Sequence, residues 1–215
     1  MKTHVHCLNP LIAVVDECFS QETADAIINM GKDNLERATV MDYSGKEKSV
    51  THEARTNSVA FLDQWANPVL TGIVETISNL VRLPPENSEP SQLLHYVGTQ
   101  KYDPHSDAFD QSAGGIDRLS QGGQRLFTSI CYLNDVPEGG ETAFPNLKLS
   151  VKTKVGRILI FANTRLGTNV AHPHSIHAGT SVTKGEKWAY TICWRQLAYH
   201  VQREFPATGG DFTVV

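Results

Sequence analysis

From Gln92 to Trp194 the chain breaks into short apolar runs separated by turn-forming residues, the pattern of short strands joined by turn-rich loops. Residues 93–97, 126–133, 148–152, 157–161 and 188–194 read as strands, with turns at Glu138-Gly139-Gly140 and Thr183-Lys184-Gly185. The preceding residues have a different pattern. Leu11 to Val15 is short, partly β-branched and bounded by Pro10 and Asp16, so it reads as a buried strand. Ser20 is placed to cap a helix with Glu22 in its first turn and Ala24, Ile27, Ile28 and Leu35 at helical spacing. Asn67-Pro68 opens a second helix whose apolar face is Val69, Ile73, Ile77, Leu80 and Val81, and Leu83-Pro84-Pro85 ends it. Two helices ahead of many short strands predict helices packed outside a curved sheet or barrel. A length of 215 residues suits one sizeable core, so a single domain is expected over 1–215.

Several function classes are disfavoured by composition. No apolar run approaches the ~18–20 residues of a membrane span, so no membrane partner is expected. A net charge of -4 supplies no basic footprint for nucleic acid. Cys7, Cys18, Cys131 and Cys193 form no close pair, which argues against a disulfide scaffold or structural zinc and for free thiols. Met1 to Cys7 lacks the uninterrupted apolar stretch of a secretory signal, and a cytoplasmic location is expected.

The chemistry is concentrated in a few residues. Pro104 keeps His105 out of a helix interior, and in extended chain His105 and Asp107 point the same way while Ser106 points opposite. Two imidazoles and one carboxylate make the protein's half of a facial iron(II) site with open positions for a co-substrate and dioxygen. The third ligand must come from another strand. Of the clustered His172, His174 and His177, only His177 is followed by a small pair, Ala178-Gly179, that lets backbone turn close to a metal-bound ring. Ten residues further on, Lys187 is the natural counter-charge for the distal carboxylate of an iron-chelating 2-oxoglutarate. A zinc hydrolase would use the same three ligands but leaves Lys187 without a task.

These residues sit within longer segments. Leu94-His95-Tyr96-Val97-Gly98 with Gln100-Lys101-Tyr102-Asp103-Pro104-His105-Ser106-Asp107, then Gln124-Arg125-Leu126-Phe127-Thr128, Cys131 to Val136, Glu138 to Pro145 and Gly185-Glu186-Lys187-Trp188, resemble the motifs of the prolyl 4-hydroxylase family of iron(II)- and 2-oxoglutarate-dependent dioxygenases. Arg55-Thr56-Asn57-Ser58 with Phe61-Leu62 resembles the strand before that family's second helix. The resemblance implies a mainly β fold, a double-stranded β-helix (jelly roll) over about 91–200 with N-terminal helical support over about 1–90. It implies iron(II) at His105, Asp107 and His177, and 2-oxoglutarate beside Lys187, Tyr96, Tyr132 and Thr142, with the Tyr132 hydroxyl directed toward the distal carboxylate. Tyr102 and Arg125 match positions near a peptide substrate. The implied reaction consumes dioxygen, converts 2-oxoglutarate to succinate and carbon dioxide, and hydroxylates a prolyl residue in an extended peptide or protein, with ascorbate as a possible reductant.

The chain departs from the family pattern at two positions. His172 stands where an acidic residue is common, and Cys193 where tryptophan is usual, with Trp194 beside it. If Lys187 points inward, Ala189, Thr191 and Cys193 do too, and Trp188, Tyr190 and Trp194 point outward. Action on another side chain or a small molecule, or service as a non-catalytic metal-binding scaffold, are the competing readings. The glycine-rich stretch from Ser112 to Gly123 reads as a loop, either a long hairpin connection or a lid, and Gly114 to Gly123 and Met41 to Glu53 are expected to order over the site when peptide binds.

Overall fold

The computed structural model describes residues 1–41, 49–110 and 113–200. Its frame is an eight-stranded antiparallel sheet in the spatial order Lys2–Leu8, Leu11–Asp16, Ile158–Ala162, Arg125–Tyr132, Glu186–Arg195, Ser91–Val97, Ser58–Leu62 and Glu36–Arg37. A four-stranded sheet, ordered Leu149–Val151, Thr142–Phe144, His177–Gly179 and Tyr102–His105, lies against one face. Leu94, Tyr96, Ile130, Tyr132, Leu159 and Phe161 from the large sheet pack with Phe144 and Val151 from the small one. This is the double-stranded β-helix expected from the sequence.

Two helices cover the opposite face of the large sheet. Helix α1 (Gln21–Gly31) begins where the Ser20 hydroxyl accepts a hydrogen bond from the Thr23 N–H, and α2 (Pro68–Val81) where Asn67 Oδ1 accepts from Val69 N–H. Their buried stripes, Ala24 and Ile27 on α1 and Leu70, Ile73, Val74, Ile77 and Val81 on α2, join Leu93, Ile160, Trp188, Tyr190, Ile192 and Trp194 in a second core. The central strands are therefore buried on both faces and carry near-continuous apolar runs, not a polar alternation. The predicted alternation along Glu186–Arg195 has physical content all the same. Lys187, Ala189, Thr191 and Cys193 line a cavity between the sheets, while Trp188, Tyr190 and Trp194 lie under the helices.

Some sequence expectations are corrected. Leu35 is not helical, because α1 ends at Gly31 and a single tight turn, Lys32–Asn34, follows. A Cβ at Gly31 would come within 2.8 Å of a Leu93 methyl, so glycine lets the helix end approach the sheet closely. The first 90 residues contribute strands as well as helices, including the Lys2–Leu8 and Leu11–Asp16 hairpin at one edge of the large sheet. Within the Ser112 to Gly123 stretch, Ala113–Leu119 forms a short helix, α3, and positive φ is confined to Gly122 and Gly123 after it. Residues 42–48 of one expected lid, and Ser112 of the other, lie outside the described residues. The two predicted turns pair with each other, Glu138 opposite Lys184 and Gly139 opposite Val182.

Candidate active site

His105 and His177 end up side by side because their strands pair: the two residues are direct cross-strand partners in the small sheet. Their rings lie 4.3 Å apart between centroids, and Asp107, two residues past His105, closes the group. Its Oδ1 is 3.5 Å from His105 Nε2 and its Oδ2 is 3.7 Å from His177 Nε2. One ligand atom from each residue fits within a mutual 4.8 Å. Both Nδ1 atoms face backbone carbonyls, His105 toward Asp103 at 2.8 Å and His177 toward Ser175 at 3.1 Å. An Nδ1–H donated to each carbonyl leaves the Nε2 lone pair free, the tautomer a metal requires. Two neutral nitrogens and one carboxylate on a single cluster fit iron(II) and leave coordination positions for other ligands.

The surroundings stiffen the cluster. The Thr128 hydroxyl donates to Asp107 Oδ2 at 2.6 Å and accepts from Asn163 Nδ2 at 2.9 Å. Tyr102 stacks on His105 at 3.5 Å, and the Arg55 guanidinium lies over the Tyr102 ring. Phe161 packs against His177 at 4.5 Å. Burial, and then the neighbouring His105, push His177 down to about 4. Burial alone would raise the Asp107 carboxyl, but His177, His105 and Arg125 hold it well below the usual carboxylate range.

The cluster borders a cavity of about 620 Å³ that also contains Tyr96, Thr142 and Lys187. Lys187 is 3% exposed, and its ammonium has no hydrogen bond or ion pair among the described residues. Its ammonium faces the rings of Tyr96 at 5.0 Å and Tyr132 at 5.6 Å. Burial lowers it to about 8 despite the attraction of Glu141. An uncompensated buried cation is costly, so its natural complement is an anionic ligand. The Tyr132 hydroxyl donates to Thr142 Oγ1 at 2.8 Å, which leaves the Thr142 proton, rather than that of Tyr132, free to meet an acceptor. Tyr96 approaches Gly179 so closely that a Cβ there would lie 3.3 Å from its hydroxyl.

Every residue expected to meet metal, co-substrate or substrate lines this cavity except Tyr132, which backs it through Thr142. Arg125 is present but committed: its Nε and Nη2 donate to Glu89 at 2.6 and 2.7 Å. The histidines passed over have other work or none here. His172 caps a short turn by accepting from His174 N–H, and neither it nor His174 lines the cavity. Thr128 was missed as a functional group, although the two-residue period running back from Tyr132 through Ile130 puts it on the cavity face. Asn163 gave no such signal, because it reaches the site only through Thr128. Arg55, quoted in the sequence only as part of a strand motif, lines the cavity as well as covering Tyr102.

Comparison with known proteins follows the same outline. The model of the 2OG-Fe(II) oxygenase superfamily matches residues 91–195. Prolyl 4-hydroxylase 2 of Arabidopsis thaliana is 34% identical over 78% of this chain and 61% of its own length. Probable prolyl 4-hydroxylase 10 of the same plant is 34% identical over 89% of this chain and 71% of its own. The chain thus spans about three fifths of the first of these relatives. Among solved structures, the viral collagen prolyl hydroxylase of Paramecium bursaria Chlorella virus-1, in its 2OG complex, superposes with a TM-score of 0.68. It is 25% identical, and the match covers 86% of this chain and 95% of that one.

Proposed function

This chain belongs to the prolyl 4-hydroxylase family of 2OG-Fe(II) oxygenases, and on that premise we propose that it hydroxylates prolyl residues in a peptide or protein, consuming 2-oxoglutarate and dioxygen. The observation that carries the reading is the coexistence in one cavity of a His–Asp–His cluster and a buried ammonium with no ion pair among the described residues. A metal-binding scaffold has no use for that ammonium.

The geometry supports the following roles. His105 Nε2, His177 Nε2 and the Asp107 carboxylate hold iron(II), with Thr128 and the two backbone carbonyls fixing their orientation. Lys187 receives the distal carboxylate of 2-oxoglutarate, and the free Thr142 proton gives it a second donor. Tyr96 walls the co-substrate against Gly179 and keeps water from the ion pair. When bound, iron with 2-oxoglutarate and dioxygen supplies the oxidising power that inserts one oxygen atom into a C–H bond while succinate and carbon dioxide form. Tyr102, stacked on His105, and Arg125, fixed by Glu89, flank the place where a prolyl ring presents its carbon to the metal side. Ascorbate would be the reductant that keeps the metal site active in turnover without substrate. The working unit is one domain, and the unpaired thiols Cys7, Cys18, Cys131 and Cys193 suit a reducing, cytoplasmic setting.

The test is mass spectrometry of proline-containing peptides incubated with the protein, iron(II), 2-oxoglutarate and oxygen. A gain of one oxygen on proline, with stoichiometric succinate, is expected. Succinate that no peptide stimulates, or oxygen found only on other residues, refutes prolyl specificity.

A further inference from the structure

A second hollow begins at the rim of the cavity. Phe61 lies on the Ser58–Leu62 strand opposite Gln92, is 68% exposed, and lines both the cavity and an adjoining groove of about 360 Å³. Beyond Phe61 the groove is walled by Trp65, Pro90 and Tyr199, and two acidic residues, Asp63 and Glu86, line it as well. Trp65 is 51% exposed, and its indole N–H has no partner among the described residues.

Exposed aromatics of this kind are useful to a ligand only if the backbone that carries them is held in place, and around Trp65 and Tyr199 it is. Asp63 Oδ1 accepts the backbone N–H of Trp65 at 2.9 Å, and Asp63 O accepts that of Ala66 at 3.2 Å. The Gln64 side chain, 3% exposed, bolts this turn to the opposite wall. Its Nε2 donates to Ser88 Oγ and Glu89 O, and its Oε1 accepts the Ser91 N–H. Tyr199 is tied by its N–H to Glu86 O at 2.8 Å, and Arg195 lies over its ring.

We infer that this groove is a docking site for the segment of a proline-rich, lysine- or arginine-containing peptide that flanks the prolyl residue being hydroxylated. The inference rests on the prolyl hydroxylase reading and adds a second contact region to it. A polyproline-type segment has no internal hydrogen bonds, presents flat pyrrolidine faces for aromatic rings, and offers carbonyls to donors such as the indole N–H. Its low ordering cost matches a groove that is already rigid. Asp63 and Glu86 favour basic residues between the prolines. Phe61, shared by both hollows, makes the two sites one continuous track for a single extended chain.

The experiment compares two labelled peptides with the same central proline, one a few residues long and one extended on both sides by prolines and lysines. Binding to the full chain is followed by fluorescence anisotropy without dioxygen, and hydroxylation is measured separately. The long peptide is expected to bind at least about tenfold more tightly than the short one. Trp65→Ala should abolish most of that advantage and leave the short peptide unaffected, while Trp65→Phe preserves much of it. Glu86→Lys should weaken the long peptide at low salt, with the difference fading at high salt. Equal binding of the long peptide by Trp65→Ala and the unaltered protein overturns the groove while leaving hydroxylation intact as a separate result. So does equal binding of an extension in which alanines replace the prolines. Trp65-dependent binding without hydroxylation of either peptide upholds the groove and refutes the prolyl hydroxylase reading instead.

Discussion

Replacing Lys187 by methionine removes the charge while keeping an unbranched side chain of similar length, and its consequences can be worked through in both ligand states. In the free protein, burial lowers the ammonium from 10.5 to about 8. That displacement corresponds to about 3 kcal/mol of cost for the charged form in the folded state. The folded protein binds this proton less tightly than the unfolded chain does. The destabilisation is therefore fully present below about pH 8 and disappears as pH climbs from there toward 10.5. Lys187→Met should accordingly raise the melting temperature of the ligand-free protein at neutral pH, by up to the equivalent of about 3 kcal/mol. Binding reverses the balance. On the proposed assignment the distal carboxylate of 2-oxoglutarate loses the Lys187 cation, and truncating one partner of a buried hydrogen-bonded pair costs ~2–5 kcal/mol, or roughly 30-fold to several thousand-fold in affinity. The assay is succinate release against 2-oxoglutarate concentration at saturating iron, paired with thermal melts. In the unaltered protein, affinity for 2-oxoglutarate should also decline as pH rises past about 8 and the ammonium is lost, a dependence absent from the variant. Lys187→Arg should be tolerated only in part, because a forked guanidinium does not fill the space of an ammonium. An unchanged half-saturation concentration in Lys187→Met refutes the assignment of this residue to the co-substrate.

Three further outcomes are expected. His105→Ala, Asp107→Ala and His177→Ala should each lose iron(II) binding in an anaerobic titration and lose peptide-coupled succinate formation, whereas His174→Ala should retain both; the reverse pattern at His174 and His177 would show that the distal ligand is misassigned. Thr128→Val deletes the 2.6 Å hydrogen bond to Asp107 and should weaken metal affinity about 10- to 100-fold with little change in the 2-oxoglutarate requirement measured at saturating iron. Gly139→Ala places a Cβ against the Ser181 carbonyl at a φ of +78°, and should cost more than about 2 kcal/mol, read as a melting temperature lowered by roughly 4–8 °C.

Much of this protein was legible without coordinates because its decisive signals are local. A capping serine or asparagine declares a helix start within three residues, and a two-residue period along Glu186–Arg195 separates Lys187 from Trp188 whatever surrounds them. The grouping of His105, Asp107 and His177 was readable for a related reason, since His105 and Asp107 share one extended segment and His177 has a distinctive small-residue neighbourhood. The tertiary structure decided what depends on register between distant strands. Only the pairing of His105 with His177 sets their Nε2 atoms on one carboxylate, and only burial between two sheets turns Lys187 from an ordinary lysine into a cation short of a partner. It also decided matters against local expectation. The Ala113–Leu119 helix formed within glycine-rich sequence, Arg125 was claimed by Glu89 from 36 residues away, and Phe61 and Trp65 were left in the open. A charge pairing or an exposed ring depends on which segments happen to pack beside it, and that information is spread over the whole chain, not written at the residue itself.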